Sequence, residues 1–255
     1  MTYPLEDLLD DIEEICGAVE IAPGKQPLSF TFAGETVEVG TPWQILERLS
    51  EVLYVNGYLR RWDGSGEPDL TPVPAQTFPT YASRSPGRPV DNARSQANRL
   101  RFTLNVGEAG PQIAAQLSPR LERFQMPYQV EIRHGERPDG LVLAVLQNHV
   151  HLALRLVQEA IQNVELGEEV PLFTRPLAPG LGLVEDPGAP FGRQRCRIFA
   201  EGLLAAQALG KAETIGGQVD ELRAQFQRYG LNLDTPYLNA HSVDIYTLPQ
   251  LENGP

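Results

Sequence analysis

Lysine is almost missing from this chain: Lys25 and Lys211 stand alone among 21 basic residues, and the other nineteen are arginine. Chemistry that needs an amine base has two places to look, whereas planar, bidentate recognition of phosphate has nineteen. Cysteine is equally scarce. Cys16 and Cys196 lie far apart without C-x-x-C spacing, which excludes a disulfide framework or a thiolate zinc site and makes a reducing cytoplasm the expected setting. No apolar run reaches bilayer length. The opening MTYPLEDLLDDIEEI is acidic and amphipathic where a secretory leader is basic and then apolar, so neither export by that route nor a membrane partner is expected. A net charge of −12 argues against a basic face of the kind that releases counterions from nucleic acid. There is no G-x-S-x-G elbow, Walker loop or dinucleotide fingerprint, so a serine hydrolase and a nucleotide cofactor are disfavoured. His149 and His151, two apart on a predicted helix, cannot share a face, and no metal site is expected.

What is present suits a globular chain: 255 residues, of which 42% are apolar, enough for one substantial domain or two small ones. Leu5, Leu8, Leu9, Ile12, Ile15 and Cys16 recur at helical spacing. LSFTF and TVEVG flank Ala33-Gly34-Glu35 and read as a hairpin. Thr41-Pro42 starts a helix expected to run to Asn56-Gly57. From Trp62 to Asn92 proline excludes regular helix or a central strand, leaving either a linker or an ordered loop over a site, with Arg84 and Arg88 at its basic tip. RLRFTLNV and YQVEIRHG alternate as strands, PQIAAQLSPRLERFQ is helical, and LVLAVLQ is apolar throughout, as a doubly buried strand would be. Helices follow over Val150–Val164, Phe191–Leu209 and Ile215–Tyr229. The pattern predicts an α+β fold, a small mainly antiparallel sheet packed with helices behind an N-terminal helix–hairpin–helix segment. Its expected divisions are 1–62, a Pro-rich connection 63–92, and an α+β domain 93–255.

One stretch exceeds what a core requires. FTRPLAPGLGLVEDPGAPFGRQRCRIFAEG, Phe173 to Gly202, holds four arginines and the pair Glu185-Asp186. At 100° per residue Cys196, Phe199, Ala200 and Leu203 form an apolar stripe, bordered by the i,i+4,i+8 row Arg193, Arg197, Glu201. Such a row is either a solvated surface feature or, beyond a Gly/Pro-shaped loop, an anion site of guanidinium forks and backbone N–H groups. Leu177–Asp186 is expected to be a rigid loop from which Arg175 and Arg193 enter one pocket, with Glu185-Asp186 orienting Arg175 or Arg195, or capping the next helix.

This stretch, together with Arg137-Pro138-Asp139 and the closing PYLNAHSVDIY, resembles the C-terminal part of the HopA-type effector family. The resemblance runs from about Arg99 to Tyr246 and is loose before it. It implies a phosphothreonine/phosphoserine lyase of modified-peptide (lanthipeptide-like) biosynthesis, whose partner is a phosphorylated precursor peptide made by a companion kinase. Arg137, Arg175, Arg193 and Arg197 would converge on the phosphate, and Arg84, Arg88 and Tyr237 would contact the peptide. The resemblance also implies a lysine base on the strand that is Tyr128–Arg133 here. This chain has none there, so Glu131 or Lys211 would take the proton, with Lys25 in a PGKQP turn a weaker candidate. His134 is the leading acid and His241 the weaker one; Ser242 and Asp244 form no triad with His241 by any spacing. The absent lysine keeps a second reading open, a non-catalytic member of the same fold that binds a peptide or partner protein.

Overall fold

The structure, a computed structural model, describes residues 5–22, 28–60, 62, 64, 67–70, 80–84, 98–133, 135 and 137–248. Along the chain lie α1 (Leu5–Ala18), β1 (Val19–Ile21), β2 (Leu28–Phe32), β3 (Glu35–Val39), α2 (Pro42–Val52) and β4 (Thr80–Arg84). There follow β5 (Arg99–Leu104), α3 (Gly110–Arg123), β6 (Tyr128–Ile132), β7 (Leu141–Leu146) and α4 (Val150–Ile161). β8 (Arg175–Ala178), β9 (Leu181–Glu185), α5 (Phe191–Ala208) and α6 (Ile215–Arg228) complete the α+β fold. Two compact units share the chain, each assembled from separated segments: a sheet unit, Gln76–Ala189 with Val243–Pro255, and a helical unit, Thr2–Ala75 with Pro190–Ser242. No helix among the described residues is long and apolar enough to cross a membrane.

The sheet unit is built on six strands in the order β4-β6-β7-β5-β9-β8, every neighbour antiparallel. The apolar run LVLAVL becomes β7, inside the sheet and buried at Leu141 through Val145. In β6 the alternation turns Tyr128, Val130 and Ile132 inward. Their face meets α3: the Tyr128 hydroxyl donates to Glu122 at 3.1 Å, and Ile132 lies against Gly110. α3 buries Ile113, Ala114, Leu117 and Leu121 and continues through Pro119. Ser118 there donates to the Ala114 carbonyl at 2.9 Å.

Three expectations are corrected here. Leu177–Asp186 is not a loop: β8 and β9 form a hairpin through Pro179-Gly180, with Gly180 at φ 67°, the left-handed position that a Pro-Gly turn supplies. Within the Pro-rich stretch Thr80–Arg84 is a strand, placed at the sheet's edge. The helix begun at Thr41, whose side chain caps Gln44 N–H, ends at Val52 and widens into a π-helical turn over Leu53–Tyr58.

The helical unit packs α5 against α6, where Gly202 lets the Leu222 backbone approach, and against α2. Its own sheet has the order β1-β2-β3, and Ala33 and Gly34, at φ 50° and 83°, make the type I′ turn of the expected hairpin. The π-helical turn aims Asn56, 1% exposed, at Asp69, whose N–H and carbonyl it bonds at 2.8 and 2.9 Å. Both cysteines are free and buried, and burial pushes the Cys16 thiol up to about 12. Arg195, 1% exposed, donates to the carbonyls of Pro236 and Leu238 at 2.8 and 2.7 Å and stacks over Phe191, so it fastens the closing segment to α5.

Candidate functional site: a cross-sheet row of arginines and carboxylates

The face of the six-stranded sheet opposite α3 is polar. Period two puts Gln129 and Glu131 of β6 there, with Val142 and Ala144 of β7 and Arg99, Arg101 and Thr103 of β5 in the same register. Small residues in the middle leave room for long ones at the sides. Asp186, just past β9 and 2% exposed, accepts from Arg101 at 2.7 Å and lies 3.8 Å from Arg99 Nε. Arg99 donates across the sheet to Gln129 at 3.2 Å, whose amide donates to Glu131 at 3.0 Å. The other Glu131 oxygen accepts from Arg133 at 3.0 Å. Arg133 also bonds Asp139, which Arg137 grips with Nε at 2.5 Å and with a second nitrogen at 3.2 Å.

The row holds four guanidinium groups and three carboxylates, a surplus of one positive charge on a chain that is acidic overall. Asp139 is fully buried, and burial alone would raise its pKa. The charges and hydrogen bonds of Arg133 and Arg137 outweigh that and hold the carboxyl below its ordinary range. Thr103, 3% exposed on this face, has a hydroxyl with no hydrogen-bond partner among the described residues. Side chains of Arg99 and Arg101 remain 25% and 18% exposed, open enough to meet a ligand.

A second cluster occupies the other face. Arg175 of β8 pairs with Leu183 and through it with Phe102, and it donates to Asp244 at 3.0 Å and to the Tyr246 carbonyl at 3.0 Å. The Tyr246 hydroxyl donates to Glu185 at 2.7 Å and accepts from Gln147 at 2.9 Å. Burial and the Glu185 bond push the phenol well above its ordinary range, so it serves as a neutral donor. These contacts bind the closing residues to the sheet.

The structure thus joins Glu131 to Arg137 through Arg133 and Asp139, and puts Arg175 on the opposite face with a different carboxylate. In the helical unit Arg193 lies 4.8 Å over the Tyr54 ring. Arg197 pairs with Glu47 at 3.0 Å and with Glu201 at 3.5 Å, as its i,i+4 spacing anticipates. Lys211 bonds Glu221, and Tyr237 is 1% exposed in the interior. Lys25, His134 and Arg88 lie outside the described residues, as does the side chain of Arg84, whose backbone pairs with Tyr128. Of the pair Glu185-Asp186, expected to orient Arg175 or Arg195, Glu185 accepts from the Tyr246 hydroxyl and Asp186 meets Arg99 and Arg101. Those two were overlooked, although the alternation in RLRFTL separates them from Leu100 and Phe102. No group of residues able to hold a metal occurs among the described residues.

The profile of the HopA1 effector protein family matches residues 81–238, well over half the chain and nearly all of the sheet unit's described strands. The chain belongs to that family. It is also similar to a solved effector protein from Pseudomonas syringae pv. syringae strain 61, at 15% identity and a TM-score of 0.49, over 94% of this chain and 100% of the other. No curated protein matches it.

Proposed function

We propose that the chain acts on a phosphorylated peptide as a phosphothreonine/phosphoserine lyase, leaving a dehydroamino acid. The observation that supports this reading is the row of partly exposed arginines beside Glu131. Elimination needs a base for the Cα proton, cations for the phosphate and a proton donor. Glu131 takes the proton, the C–H electrons become the Cα=Cβ bond, and the Cβ–O bond breaks as phosphate departs onto Arg99 and Arg101. Accepting that proton requires Gln129 or Arg133 to release one Glu131 oxygen. His134, next to Arg133 in sequence, is the candidate donor to the phosphate. A companion kinase would supply the phosphorylated peptide.

One observation favours the second reading, a phosphopeptide binder without turnover: no lysine occurs in 76–189 or 243–255, so the sheet unit carries no amine base. The two separate by mass. With a phosphothreonine peptide encoded beside this chain, a lyase yields the alkene and loses phosphoric acid, whereas hydrolysis would leave the alcohol. Arg101→Ala should lower that rate about a hundredfold, the loss of one preorganised charge partner, and Arg101→Lys should restore part of it. Circular dichroism would confirm that each variant folds. Binding without alkene decides for the binder, and alkene formation by Glu131→Lys would then identify the missing base.

A further inference from the structure

Arg99 and Glu131, a phosphate holder and the base, already share one partner. Arg99 donates its Nη2 to Gln129 Oε1 at 3.2 Å, and Gln129 donates its Nε2 to Glu131 Oε1 at 3.0 Å. An arginine only donates and an ionised carboxylate only accepts, so the two ends leave the amide a single orientation. One neutral carboxamide therefore bridges the two groups that elimination has to engage.

A phosphate needs an edge of the Arg99 fork. Among the described residues that fork meets Asp186 through Nε at 3.8 Å and Gln129 through Nη2. Asp186 is not the partner that yields. It is 2% exposed, accepts from Arg101 at 2.7 Å and from the Gly188 N–H at 2.9 Å, and moving it would break a buried charge pair. Gln129 is uncharged, half-buried on β6, and holds Arg99 by a bond near the long end of the range. A phosphate dianion adds Coulomb attraction and a second parallel bond that an amide oxygen cannot supply. Glu131 meanwhile keeps its Oε2 on Arg133 at 3.0 Å, so the departure of Gln129 bares Oε1 while the carboxylate stays oriented.

Resting on the lyase reading of this face, we infer that Gln129 is a positioning residue that gates the site: phosphate arriving on Arg99 displaces its amide, and the same movement frees Glu131 Oε1 to take the Cα proton. The base is uncovered only when the phosphate is in place. By linkage, the bonds that Gln129 makes to the row lower the affinity of the site for phosphate.

The probe is inorganic phosphate, titrated to millimolar concentration into the full chain at constant ionic strength and followed by NMR of side-chain N–H groups. Phosphate should move the Gln129 Nε2 pair and the Arg99 Nε–H together. Gln129→Ala should bind phosphate about three- to tenfold more tightly, the opposite of what losing a structural contact would do. Gln129→Glu, which keeps the length and sets a carboxylate against Arg99, should bind at least tenfold more weakly. Phosphate that binds with the Gln129 amide signals unmoved, or that binds Gln129→Ala no more tightly than the parent, overturns the gate and leaves the lyase reading standing. Failure of both the parent and Gln129→Ala to bind phosphate or a capped phosphothreonine overturns the two together. The amide signals of the unaltered chain keep the test decisive where Gln129→Ala fails to fold.

Discussion

Asp139 shows most directly what the polar face costs and returns. Its carboxyl is buried between two guanidinium groups, an arrangement in which losing one partner is far worse than never having built it. Asp139→Asn should therefore destabilise the chain by about 3 kcal/mol at neutral pH, measured by urea unfolding. The pH dependence follows from the depressed pKa. Below about pH 4 the unfolded carboxyl binds its proton while the folded one still resists, so the stability contributed by Asp139 is full above that pH and is lost as pH falls through the folded value. In Asp139→Asn the acid limb of the stability profile should be shallower than in the parent, and an unchanged slope would show that other carboxylates set it. Sequence reading picked out Arg137 and Glu131 but not the geometry joining them. Their connection runs through Asp139 and Arg133, and the row continues from Glu131 to Gln129 and Arg99; which residues lie opposite one another on neighbouring strands is settled by register, which local sequence leaves open.

At the scale of elements, α6 offers a test in two adjacent glycines. A methyl on Gly216 would meet nothing within 4 Å, whereas one on Gly217 would sit 2.4 Å from the Lys211 carbonyl oxygen. Gly216→Ala should stabilise by about 0.5 kcal/mol through reduced freedom of the unfolded chain. Gly217→Ala should cost about 1–3 kcal/mol because backbone must move. Thermal melts of the two variants should thus shift in opposite directions. Helices such as α5 and α6 were legible because a 3.6-residue apolar repeat persists over several turns. The short strands β1, β4 and β8 were not, since three to five residues carry too little periodicity to stand out. β8 and β9 hid behind their prolines and glycines, although Pro179-Gly180 between apolar runs is itself a turn signal.

For the molecule as a whole, the last described residues are part of the sheet unit's fabric. Ending the chain after Ser242 would remove Asp244 and Tyr246, and with them the bonds these residues make to Arg175, 9% exposed, and Glu185, 6% exposed. Such a truncation should lower protection from hydrogen exchange in β8 and β9 by several kcal/mol of opening free energy. α5 and α6, whose unit is complete at Ser242, should keep theirs. That return of the chain also sets an order of events during synthesis. β4 to β9 leave the ribosome before α5 and α6, and only afterwards comes Tyr246, so the strands made in mid-chain wait for a tyrosine translated some sixty residues after Glu185. Until it arrives the buried Glu185 carboxylate lacks the Tyr246 hydroxyl, and an emerging chain is the state in which a chaperone would find the β8–β9 edge exposed.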